Sequence, residues 1–144
     1  MLAVLFVVLG WRASIAWEQY QGVVACERVF EEAHELLHKQ ADVDAAVARF
    51  EKCLAMNPLY YPAYEILVHI YEERSDRTRA RATIERGVKA LGEEPRIQRL
   101  AGVYYLNCEK KPARAAEFLE VALRAAPDDR VCQALLRQAR KDAP

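Results

Sequence analysis

A chain of 144 residues, 53% of them hydrophobic and broken by only five glycines and six prolines, can bury one core without metal or disulfide staples and favours helix nearly throughout. Its formal net charge is zero, and with no concentrated basic patch this excludes nucleic acid as the main ligand. The charge is unevenly placed: residues 1–73 carry 5 basic and 11 acidic side chains, residues 74–144 carry 16 and 10. Such a layout suits the steering or docking of a charged partner.

The first segment, "MLAVLFVVLGW", is uncharged and mostly apolar. As helix it is about 16 Å long, against a hydrocarbon core of about 30 Å. Extension to Trp17 gives about 25 Å, encloses Arg12 and carries tryptophans at both 11 and 17, as in a tilted or locally thinned anchor. Ser14 and Ala16 would also satisfy the small-x-small cleavage site of a signal peptide, although no basic leader precedes the apolar run. "VVAC", ending at Cys26, is faintly similar to a lipoprotein cleavage box, but the intervening polar "WEQYQ" argues against lipidation. Residues 1–25 are therefore set apart, and residues 1–17 point to membrane association or export. Packing of this helix on the domain would instead leave the protein cytoplasmic, and packing on a neighbouring subunit would make it a contact within a larger complex.

"HELLH", residues 34–38, matches H-E-x-x-H, in which two histidines one helical turn apart bind zinc and the glutamate activates the metal's water. Residues 72–76, "EERSD", add the E-x-x-x-D spacing of a third ligand. His34, His38 and Glu72 are thus the alternative metal set of a zinc-dependent hydrolase or metallopeptidase. Against that reading, Glu31 and Glu32 precede the motif and Lys39 and Gln40 follow it, where zinc peptidases keep uncharged and apolar neighbours. The elongated form also fails, because Ala41 and Asp44 stand at its glycine and third histidine.

The cysteines, Cys26, Cys53, Cys108 and Cys132, are widely separated and form no C-x-x-C pair. A cysteine zinc site is thereby disfavoured. Each reads as a small core residue, although an even count permits disulfides in an exported chain. There is no G-x-S-x-G and no glycine-rich phosphate loop, and no cofactor is expected.

From Trp17 onward the apolar pattern is helical and repeats. In "AVARFEKCLAMNP", Ala46, Phe50, Cys53 and Pro58 define a register. Thirty-four residues after the first three stand Ala80, Ile84 and Gly87, and a third series runs Ala115, Leu119, Ala122 and Pro127. Preceding helices carry Phe30 and Leu37, then Tyr64, Leu67 and Tyr71, then Leu100, Ala101 and Tyr104. Small residues let paired helices approach and large ones fill the space between. Pro58 and Pro127 stop the second helix of their pairs, while Gly92 stands where the middle repeat would place a proline. About two extra residues are read in the turn "NCEKKP".

A period near 34 with two helices in each period resembles the tetratricopeptide repeat. The resemblance implies an all-α, right-handed α-solenoid of about three helix-turn-helix repeats, at about residues 27–60, 61–94 and 95–128 within a domain spanning 26–144. An apolar N-terminal helix precedes them and "RVCQALLRQARK" supplies a capping helix at 129–144. It also implies a non-catalytic adaptor or scaffold whose first helices line a groove for a partner's peptide or amphipathic helix. Carried over by position, the groove takes Glu31, Glu35 and His38 from the first repeat, Glu65, His69, Glu72 and Glu73 from the second, and Gln98, Arg99 and Tyr105 from the third. Its acidic end departs from the lysine and asparagine carboxylate clamp of chaperone-binding members and fits a basic partner segment. A constitutive subunit of a membrane complex is the other alternative.

Overall fold

The computed structural model describes residues 22–39 and 42–143, and every element among them is a helix. The expectations for residues 1–17 lie outside the described residues. No described helix is long and apolar enough to cross a membrane. The chain divides into two compact units, Met1–Pro58 and Leu59–Pro144.

The first unit holds α1, helical over residues 22–38, and α2, Val43–Met56. Helical spacing sets Cys26, Val29 and Ala33 on one buried face of α1. Asp42 caps α2, its carboxylate accepting from the Ala45 amide at 2.9 Å. Buried Phe50 meets Phe30 edge-on with ring centroids 5.3 Å apart. Asn57 leaves the helix in extended conformation because Pro58 disfavours the helical region for the residue before it. The two helices are joined covalently by a Cys26–Cys53 disulfide with a Cα separation of 4.7 Å. Both half-cystines are fully buried, so they fill core space as expected, but as a bonded pair and not as free thiols.

The second unit holds α3 (Tyr61–Glu73), α4 (Arg77–Leu91), α5 (Pro95–Asn107), α6 (Pro112–Ala125) and α7 (Arg130–Asp142). Prolines at the starts of α3, α5 and α6 cost nothing there, since the first-turn amides have no intrahelical partner. Asp76, Glu94 and Asp129 accept amide hydrogen bonds from Arg79, Ile97 and Cys132 at 2.9–3.0 Å. Gly92 ends α4 at φ 60°, a left-handed backbone that glycine adopts without a Cβ clash. A glycine therefore performs the stop that proline performs in the neighbouring repeats.

Short connectors fold each pair back on itself: residues 74–76 between α3 and α4, residues 108–111 between α5 and α6. The third repeat thus carries one extra residue, not two, consistent with Ala80 and Ala115 lying 35 apart. Lys110 takes φ 54° in that longer turn. Within the second unit each helix from α3 to α6 packs on its successor, and α5 also packs on α3 and on α7. First helices therefore stack on first helices, over a core of Tyr64, Leu67, Ile84, Ile97, Tyr104 and Leu119.

Candidate functional site

In α3 and α5 the packing leaves a single open stripe on each helix. Along α3 the uncovered positions are Pro62, Glu65, Ile66, His69, Glu72 and Glu73; along α5 they are chiefly Arg96, Arg99, Val103 and Asn107. Both sets recur every three or four residues, the spacing of one helix face. Since α3 and α5 pack together, the two stripes form adjoining parts of one surface. It has an acidic edge on α3, apolar side chains from Ile66 and Val103, and two arginines on α5.

The arginines already have partners. Arg99 Nη1 donates to Asp129 Oδ2 at 2.6 Å, and the Cys132 amide followed by Arg99 holds the Asp129 carboxyl below the usual carboxylate range. Arg96 is ion-paired with Glu94 and lies over the Tyr61 ring, 4.7 Å from its centroid. The Tyr61 hydroxyl donates to Glu65 Oε1 at 3.0 Å. Burial, then the Glu65 charge, pushes that phenol well above its ordinary range. With the cations neutralised locally, the field over the stripe is dominated by Glu65, Glu72 and Glu73.

At the C-terminal end of α3 lies a pocket of about 220 Å3 lined by Glu72, Ser75, Arg77, Ala80, Tyr104, Asn107 and Cys108. The Cys108 thiol donates to Glu72 Oε1 at 3.2 Å. Burial, reinforced by Glu72, pushes the thiol up to about 11, so it is protonated at neutral pH and is not an activated nucleophile. The Tyr104 hydroxyl lies 2.9 Å from the Arg77 carbonyl and 3.2 Å from Glu109 Oε1. Burial, followed by Glu109, raises its titration too.

The expected groove residues divide into three groups. Glu65, His69, Glu72, Glu73 and Arg99 lie on the open stripes. Glu31, Glu35 and His38 are exposed on α1 in the first unit, where Glu35 pairs with Lys39 at 3.2 Å. Gln98 and Tyr105 are inside the stack, 5% and 2% exposed. Gln98 donates to the Gly92 carbonyl at 2.6 Å, and Tyr105 stacks on Phe118 with ring centroids 5.3 Å apart. The reason is register: 34 residues before them stand Tyr64 and Tyr71, also buried. The same shift applied to Glu65, His69 and Glu73 gives Arg99, Val103 and Asn107, so Val103 and Asn107 were available from the repeat itself.

His34 and His38 do share one face of α1, their rings meeting edge-on at 4.5 Å between centroids. Glu72 belongs to the other compact unit, where it pairs with His69 at 3.4 Å and accepts from Cys108. Among the described residues no three His, Cys, Asp or Glu side chains are grouped to hold a metal ion.

Residues 37–104 match the family model of the tetratricopeptide repeat. Those residues carry the tetratricopeptide-repeat pattern. Among solved structures it is similar to the C-terminal tetratricopeptide-repeat domain of an FK506-binding protein from Plasmodium falciparum, at 14% sequence identity and a TM-score of 0.61. That likeness covers 85% of this chain and 91% of the other, and it establishes the fold as an α-solenoid of helix-turn-helix repeats. No curated protein matches the chain in sequence.

Proposed function

We propose that this tetratricopeptide-repeat chain is a non-catalytic adaptor that binds a basic, amphipathic segment of a partner protein along the stripes of α3 and α5. The observation that carries the reading is the acidic edge formed by Glu65, Glu72 and Glu73 beside Ile66 and Val103, opposite arginines already held by Glu94 and Asp129. Each exposed ion pair contributes only about 0–1 kcal/mol, so Ile66 and Val103 supply the apolar contact and the carboxylates supply selectivity. A labelled Lys/Leu amphipathic peptide is expected to bind by fluorescence anisotropy, and its Glu/Leu counterpart is not. The Glu65→Gln, Glu73→Gln double variant should weaken binding about fivefold at low salt and lose that difference at high salt. Equal binding of both peptides would sink the proposal.

Export to an oxidising compartment is the localisation we favour, with residues 1–17 acting as signal or anchor. The Cys26–Cys53 bridge supports it, because disulfides persist in oxidising environments and are rare in reducing ones. Trapping thiols with a mass-tagged maleimide in the producing cells should label the chain at Cys108 and Cys132 alone, after denaturation. Labelling of all four cysteines would count against export.

A further inference from the structure

The "HELLH" segment of α1 takes no part in the α3 and α5 surface, yet it sets two histidines four residues apart on one helix face. His34 is half-buried and His38 is exposed. Their rings meet edge-on, with centroids 4.5 Å apart and planes at 66°. Phe30, one turn before His34, stacks on the His34 ring at 6.1 Å between centroids, so that ring stands between Phe30 and His38. Among the described residues these ring contacts are the only ones either imidazole makes. The third histidine, His69, is instead paired with Glu72 at 3.4 Å.

We propose that His34 and His38 form a two-imidazole clamp for a nitrogen-seeking divalent transition ion, Cu(II) or Ni(II). An imidazole bound through one nitrogen at about 2.1 Å places its ring centre about 3.2 Å from the ion. Two such rings in neighbouring positions of a tetragonal ion, at about 90°, have centres about 4.5 Å apart, and that geometry belongs to Cu(II) and Ni(II). The tetrahedral angle of zinc would require about 5.2 Å. The separation of 4.5 Å therefore suits the tetragonal ions with the helix unmoved. Rotation about χ2, a soft torsion in histidine, keeps each ring centre in place and turns one nitrogen of each toward a shared point. Once one imidazole holds the ion the second is already within reach, so the pair binds more tightly than two separate histidines. Among the described residues no third His, Cys, Asp or Glu is grouped with the pair, so water completes the coordination. Glu35 is engaged by Lys39 at 3.2 Å, and no hydrolytic step is assigned to the clamp. The site lies in the first unit and does not rest on the reading of the α3 and α5 stripes.

The probe is nickel chloride alone, titrated by calorimetry into the full chain purified without an affinity tag. Ni(II) is chosen because, unlike Cu(II), it does not oxidise the free thiols Cys108 and Cys132. One ion per chain is expected, and by linkage its binding should slow amide exchange in α1. His38→Gln should weaken binding at least tenfold. The double variant His38→Gln, Lys39→His keeps the number of histidines but sets the second about 140° around the helix from where His34 needs it to be, so it should bind no better than His38→Gln. Both substitutions fall at exposed positions, which keeps the fold out of the comparison. His69→Gln should bind as wild type does. Absence of binding, wild-type affinity in either α1 variant, or loss of binding in His69→Gln would each overturn the proposal.

Discussion

Replacing Cys26 and Cys53 together by alanine is expected to lower the hydrogen-exchange protection of α1 and α2 by two to three powers of ten. The bridge spans 27 residues of sequence. Closing a loop of that length removes denatured-state entropy worth about 3–4 kcal/mol, and each 1.4 kcal/mol is about a factor of ten. The rest of the described core in this unit is modest: Val29, Ala33, Ala46, Phe50 and Leu54. With so little apolar area a covalent tie carries a larger share of stability. Reduction of the wild-type chain with dithiothreitol should reproduce the loss, which exchange measured by mass spectrometry on the full chain would localise to residues 22–38 and 43–56. Unchanged protection there would mean that helix packing alone holds the pair.

That bridge marks the limit of what the residues disclose before folding is known. Four cysteines permit three pairings, and nothing in the spacing of Cys26 and Cys53 selects one. The repeat itself was legible because close helix packing demands small residues at fixed places. Ala46, Ala80 and Ala115 declare the register, and Phe50, Ile84 and Leu119 fill the space it leaves. A glycine replacing proline at position 92 did not hide it, since either residue ends a helix. The stripe on α3 was legible for the same reason, being whatever the packing positions leave over. Gln98 was misplaced because its polarity suggested a surface, although its register partner is the buried Tyr64. The Arg99–Asp129 pair joins residues 30 apart through the approach of α5 to the start of α7. Only the assembled stack brings them within reach.

The sharpest test of that packing lies where α5 crosses α6. A Cβ added at Gly102 would sit 2.6 Å from Leu119 Cγ and 2.7 Å from its Cδ2. The nearer atom is the branch point of a fully buried side chain, so the clash cannot be relieved by swinging a terminal methyl. Gly102→Ala should therefore cost about 1–3 kcal/mol of overpacking, offset by roughly 1 kcal/mol of better helix propensity. Gly87→Ala should be milder, because its closest neighbour is Ile97 Cδ1, at 2.7 Å, the free end of a flexible chain. Leu119→Ala alone leaves a cavity and should cost about 2–5 kcal/mol. In that background the added methyl at position 102 keeps only an ordinary 3.4 Å contact with the Ala115 carbonyl oxygen, and Gly102→Ala becomes stabilising by about 1 kcal/mol. The four proteins form a cycle whose coupling should reach about 1–3 kcal/mol, read from urea unfolding at constant m-value. Additivity within about 0.5 kcal/mol would show that α5 and α6 do not approach through Gly102, and the packing of α6 on α5 would have to be redrawn.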